Sequence, residues 1–159
     1  MSRDISTATT GDMNAASTPE VFLTLIEISH PDFDTVRLVN NTVDITSGGD
    51  TYTAFPFIAV FPPDTDQINA VGRLSIPNAT SEIVEQLRSV LGSLERITVD
   101  MHDIKASSPS THLRSETGLE LTNVNYDVDV MTGTLTRNSY VNEPFPGDIM
   151  TPGTVPGIF

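Results

Sequence analysis

The longest nearly continuous apolar stretch in the chain is Val21–Ser29 (V-F-L-T-L-I-E-I-S), enough for a strand buried on both faces. His30-Pro31-Asp32 ends it, because proline cannot donate to a strand ladder. Thr35–Val39 and Val43–Thr46 follow, separated by Asn40-Asn41. Asparagine tolerates positive φ, so this pair predicts a hairpin. Ser47-Gly48-Gly49-Asp50 predicts a second turn into Thr51–Phe55, and the three short strands read as a meander. Pro56–Phe61 and Val71–Ile76 are further short strands, the latter with Leu74 and Ile76 opposite Arg73 and Ser75.

One helix is predicted, at about 81–91. Thr80 or Ser81 caps it, Ile83, Val84, Leu87, Val90 and Leu91 form its apolar stripe, and Gly92 stops it. Ile97, Val99 and Met101 then alternate with Thr98, Asp100 and His102, the pattern of a strand with one solvated face. Lys105–Arg114, with Ser-Ser-Pro-Ser-Thr at its centre, reads as a loop. Val124, Tyr126, Val128 and Val130 alternate with Asn123, Asn125, Asp127 and Asp129. Leu119 and Leu121 lie on the opposite parity, which requires a bulge near Thr122. Thr132-Gly133 predicts a turn before a return strand at Thr134–Thr136. The expected fold is mainly β: a small split barrel or sandwich with one helix packed against it.

Extended segments flank this domain. Residues 1–20 form an arm of small residues, with four Thr and three Ser before Pro19 and only Ile5, Met1 and Met13 as large apolar side chains. Such an arm cannot bury enough surface alone to offset its ordering entropy, so it is expected to be flexible unless a neighbour holds it. The domain runs from 21 to 141. The tail, 142–159, carries Pro144, Pro146, Pro152 and Pro156 and presents Phe145, Ile149, Met150, Ile158 and Phe159 on an extended backbone. Ile5, Met13, Pro144, Phe145, Ile149, Met150, Ile158 and Phe159 are therefore the candidate protein-interface residues.

Charge narrows the function. The 159 residues include 21 acids and 8 bases, a formal charge of −13. A chain with seven Arg and one Lys is poorly equipped to neutralise a run of phosphates, and an anionic bilayer repels it. No apolar run approaches the ~18 residues of a membrane-spanning helix, and the first residues lack the apolar core of a signal peptide. The absence of cysteine excludes disulfides, thiolate metal clusters and iron–sulfur sites, and fits synthesis in a reducing cytosol.

The search for catalytic chemistry finds little. His30, His102 and His112 lack a second histidine at ligand spacing, and Asp100, His102 and Asp103 are the nearest approach to a cluster. Asp127 and Asp129 would project from one strand face about 7 Å apart, a spacing inverting glycosidases use, but the chain has no Trp to line a sugar site. Ser47 lacks the first glycine of a nucleophile elbow. No enzyme, cofactor or metal is expected.

The stretch T-L-I-E-I-S-H-P-D-F-D-T-V-R-L-V-N-N-T-V-D-I-T-S-G-G-D-T-Y-T-A-F-P-F resembles the start of a bacteriophage tail family known only as a domain of unknown function. N-Y-D-V-D-V-M-T-G-T-L-T and N-E-P-F-P-G-D are also similar to it, so the likeness covers Val21 to Phe159. The order of Y-T-A-F-P and R-L-S-I-P-N before the helix further resembles the N-terminal domain of the minor tail protein L family of lambda-type phages. That resemblance implies a split-barrel domain in a tail-tip ring, between the tail tube or tape-measure end and the central hub. It implies a homo-oligomer, threefold by analogy with protein L or sixfold like distal tail proteins, made in the host cytoplasm and located in the virion tail. The iron–sulfur domain of protein L has no counterpart here, since the chain has no Cys. Two rival readings are a small carbohydrate-binding barrel for host attachment, using Tyr52, Phe55, Phe57 and Phe61 as a platform, and a peptidoglycan hydrolase using Asp127 or Asp129.

Overall fold

In the computed structural model, the described residues are 7–15, 18–63, 71–77, 85, 89–90, 95–127 and 129–137. They comprise helix α1 (Thr7–Asn14) and nine strands: β1 (Phe22–His30), β2 (Phe33–Val39), β3 (Ile45–Ser47), β4 (Asp50–Ala54), β5 (Ile58–Val60), β6 (Val71–Pro77), β7 (Thr98–Lys105), β8 (Ser108–Tyr126) and β9 (Val130–Arg137). All nine belong to one mixed sheet, ordered β3-β4-β2-β1-β7-β8-β9-β6-β5. The protein is mainly β, as its alternating pattern predicts.

The chain connectivity forces this sheet to curl. Laid flat, β4 and β5 would sit about 34 Å apart at the usual strand spacing. Only Phe55, Pro56 and Phe57 join them, a link that spans at most about 15 Å. The two ends of the sheet are therefore drawn together without hydrogen bonding to each other, giving a split barrel. Phe55 and Phe57 enter the enclosed space and join Ile26, Ile28, Met101, Leu119, Met131 and Leu135 in the main core. On the outer surface a smaller cluster, Leu23, Leu25, Val39, Tyr52 and Ile104, covers part of β1, β2 and β7. That second cluster is why β1 is buried on both faces, in keeping with its continuous apolar sequence.

The structure corrects several local expectations. The segment after β2 does not make a hairpin with β3; β2 instead pairs in parallel with β4, at Leu38–Thr53 and Val39–Ala54. Asn40 donates its backbone N–H to Thr24 O, the Asn41 side chain bonds Val43 O, and Asp44 accepts the Ala54 N–H at 2.7 Å. These contacts form a loop that carries β3 past β2 to the outer edge, where it pairs with β4 through the predicted Ser47–Asp50 turn. The stretch read as a loop at Lys105–Arg114 is mostly strand, the outer half of a β7–β8 hairpin. Ser47 Oγ donates to Pro109 O at 2.7 Å and ties its tip to β3.

At the other end of β8 the expected bulge is present. Register shifts between Thr122 and Asn125, and Asn123 takes φ of 50°. The turn into β9 comes earlier than expected, where Asp127 N–H bonds Val130 O at 2.9 Å. Thr132-Gly133 lies within β9 rather than at a turn. Glycine gives the neighbouring Leu121 its room there: a Cβ on Gly133 would fall 2.5 Å from Leu121 Cδ1, and the leucine would have to turn aside. Most of the predicted helix at about 81–91, and the whole tail 142–159, lie outside the described residues. Of that helix, Glu85 and Ser89 are helical, and Val90 is buried in the main core.

Candidate functional site

The charged residues of β7 that continue its apolar parity identify the most distinctive site. Val99 and Met101 point into the barrel, and Asp103 and Lys105 follow on the same face. Cross-strand pairing sets Thr24 beside Asp103, and Asp103 opposite Arg114. Thr24 Oγ1 donates to Asp103 Oδ1 at 2.8 Å. Burial holds the Asp103 carboxyl above its ordinary value, opposed by the Thr24 hydrogen bond and the Arg114 charge.

Arg114 is itself clamped. Its guanidinium lies 4.2 Å from the Phe61 ring centroid and donates to Pro62 O at 3.1 Å, so the segment after β5 crosses this end of the barrel. Two residues on, the buried Glu116 accepts from Arg137 at 2.8 Å, where β9 ends. Arg114 Nε and Glu116 Oε1 are buried without a partner among the described residues, leaving one unused donor and one unused acceptor.

Helix α1 lies over this mouth. Lys105 pairs with Asp12, Thr9 is buried, and Met13 lines a cavity of about 290 Å³ together with Phe22, Leu23, Thr24, Asp103, Leu113 and Arg114. The arm expected to be flexible thus has a structured segment. Its order comes from the seat, because eight residues of Thr, Gly and Ala type do not sustain a helix in water. Of the predicted interface residues, Met13 is at this mouth and 56% exposed. Ile5, Pro144, Phe145, Ile149, Met150, Ile158 and Phe159 lie outside the described residues.

The other candidates resolve into structural roles. Asp100 and His102 do not act together: Asp100 accepts the Gly118 N–H at 2.7 Å, while His102 Nδ1 shares a hydrogen bond with Ser115 Oγ. His102, paired with Leu25 of the outer cluster, is buried and stacked on His112 with ring centroids 4.2 Å apart, so the face read as solvated is covered at this position. Burial, then the His112 charge, lowers its pKa from the ordinary value. His30 Nδ1 accepts from Asp32 N–H and the ring stacks on Phe33, which shapes a turn. Asp127 and Asp129 flank the β8–β9 turn instead of sharing a strand face. Tyr52, Phe55 and Phe57 are buried, and Phe61 lies under Arg114. Among the described residues no group of three His, Cys, Asp or Glu is placed to hold a metal ion, and no helix is long and apolar enough to cross a membrane.

The mouth residues Thr24, Asp103, Lys105, Arg114, Glu116 and Arg137 do not stand out in the sequence as a group. The available signal is parity: Val99, Met101, Asp103 and Lys105 change from apolar to charged without changing face, marking where the core opens. Their arrangement sets one hydroxyl–carboxylate pair, Thr24 on Asp103, among opposed charges. It can bind and orient a chain segment, which defines the molecule as a split β-barrel with a plugged, charged mouth. The chain belongs to the family described as Domain of unknown function (DUF1833), whose model matches residues 8–149. That match starts within α1, so the plug belongs to the matched region together with the barrel. No curated protein matches the chain.

Proposed function

We propose that this protein is a structural component of a long-tailed phage tail tip. It forms a homo-oligomeric ring between the tail tube or tape-measure end and the central hub, takes part in tail assembly and surrounds the DNA ejection channel. The reading places it in the virion tail after synthesis in the host cytoplasm. It rests on the resemblance of Val21–Phe159 to phage tail sequences.

The structural observation that carries it is the convergence of chain segments at the barrel mouth. The arm enters there through β1, the segment after β5 crosses it, and β9 ends at Arg137 on Glu116. Met13, Val21 and Phe22 stay exposed beside it. Apolar groups left uncovered next to chain extensions suit a subunit that completes its surface against neighbours. The charge of −13 suits a channel wall that lets phosphates pass without gripping them. A threefold ring is favoured over a sixfold one by analogy with protein L. Carbohydrate binding ranks second, because the rings it would use as a platform are buried or covered by Arg114.

The test is the solution mass of the full chain and of a chain lacking residues 1–19, with negative-stain images of each. A discrete trimer or hexamer with a central opening, lost on arm removal, supports the ring. A 17.2 kDa monomer that also fails to co-purify with tail-tube and hub proteins overturns it.

A further inference from the structure

Helix α1 fits its seat in an unusual way. It is eight residues long, has no acid in its first turn and no base in its last, and carries Met13 as its one large apolar side chain. Its contacts with the barrel, the Asp12–Lys105 pair, buried Thr9 and the approach of Met13, account for its order. Beside the helix, Met13, Phe22, Leu23 and Leu113 line a groove of about 290 Å³ that is partly open to solvent. With α1 in place, Met13, Val21 and Phe22 are still 56%, 55% and 36% exposed, an apolar collar around the junction of arm and barrel.

The connection to the barrel is anchored sharply at one point. Ala106 N–H bonds Val21 O at 2.9 Å, and Ser107 Oγ bonds Glu20 at 2.7 Å. Between Asn14 and that anchor lie residues 15–19, which reach roughly 17 Å when extended. That length lets the helix leave its own mouth while Val21 stays anchored. Charge points the same way. Two copies of a chain at −13 repel, so a contact between them gains from setting a base against an acid. Lys105 is the only lysine in the chain, its side chain is 14% exposed, and it faces the arm.

We propose that α1 is an exchanged arm: in the assembled protein, Thr7–Asn14 of one copy plugs the barrel mouth of a second copy. The seat is Phe22, Lys105 and Leu113, and the pair that selects the arm is Asp12 on Lys105. Every contact that holds α1 on its own barrel is available on the identical barrel of a neighbour. Exchange re-routes only the link between Asn14 and the anchor at Glu20 and Val21, and brings two apolar collars together, which makes it a low-cost route to association. This inference takes its setting from the ring reading and adds the surface and segment that join the subunits.

Because the chain has no cysteine, introduced thiols can be cross-linked without background. A full-length chain with Met13→Cys is co-produced with one carrying Leu113→Cys, and the mixture is treated with a short bis-maleimide. Met13→Cys with Phe22→Cys, which line the same groove and leave Asp12 and Lys105 in place, is a second pair should Leu113→Cys fold poorly. The expected result is a two-chain product in the mixture. It should be almost lost when Lys105→Glu is added to the Leu113→Cys chain, and return when Asp12→Lys is added to the Met13→Cys chain.

A product confined to a single chain carrying both thiols would overturn the exchange, as would no product in either sample. The solution mass of the unsubstituted protein separates the two failures. An oligomer with only intrachain cross-links removes the exchange and leaves the ring; a monomer with only intrachain cross-links removes both for the isolated chain.

Discussion

The inner and outer faces of β7 begin from the same alternation and end in different environments. Inward, Val99 and Met101 join a core that draws on β1, β2, β6, β8 and β9 as well. Outward, Ile104 belongs to a cluster of five buried residues, and His102, paired with Leu25 of that cluster, is buried and stacked on His112. The inner side is closed by the curl of the whole sheet. The outer side is closed locally, where β4 brings Tyr52 over β1 and its hydroxyl donates to Glu27, held in turn by Arg37 at 3.5 Å. A strand pattern shows which residues share a face. Whether both faces are covered depends on what crosses them.

That contrast can be broken most directly by truncation. Met101→Ala is expected to cost about 3–5 kcal/mol, since the surrounding barrel cannot collapse onto the cavity, whereas Ile104→Ala should cost about 2–3. Urea unfolding of both variants measures the gap, and equal losses would show that the small cluster is as constrained as the core. Next in size is Gly72→Ala on β6, which should cost about 1–3 kcal/mol. A Cβ there meets the Val60 carbonyl oxygen at 2.6 Å, and backbone must move to admit it. Thermal unfolding of this variant tests how tightly β5 and the segment crossing the mouth are held. On the outer face, Tyr52→Phe removes one hydrogen bond to a carboxylate that keeps Arg37, so a loss of about 1 kcal/mol is expected by the same measurement.

The smallest effect is the most discriminating. His102, outside, is depressed by burial; its contribution to stability is complete above the unfolded value of 6.5 and is lost as pH falls through the lower folded value. Asp103, inside the mouth, is raised by burial; its contribution is complete below the unfolded value of 3.8 and is lost as pH rises through the higher folded value. His102→Gln should therefore flatten the fall in stability below pH 6.5, and Asp103→Asn the decline that begins above pH 3.8. Urea midpoints measured across pH for the three proteins test this, and slopes of the same sign would contradict the assignment of the two environments.

Local pattern made much of the barrel legible. The two-sided burial of β1, the alternation of β6, and the bulge that reconciles Leu121 with Val124 all follow from parity, because side chains on a strand repeat every two residues. Parity failed where partner choice mattered. Asn40-Asn41 looks like a hairpin turn, but the hydrogen bonds of Asn40, Asn41 and Asp44 carry β3 outward and leave β2 to pair with β4. Gly133 looks like a turn and is a point of close approach to Leu121. Ser108–Ser110 looks like a loop because its side chains are polar, yet its backbone extends β8 to reach Ser47.

The candidate site follows the same division. By itself the sequence determined a mainly β chain, an acidic balance, and an N-terminal arm too poor in apolar side chains to fold alone. Only the tertiary structure decided that Thr24, Asp103, Arg114, Glu116 and Arg137 meet at one mouth and that α1 lies across it. Those residues come from four strands as much as 113 positions apart in the chain. Their proximity is set by strand order and curl, and these depend on which edges pair. Composition and periodicity carry information about faces and lengths, but pairing is a choice among long-range contacts that the complete packed barrel makes at once.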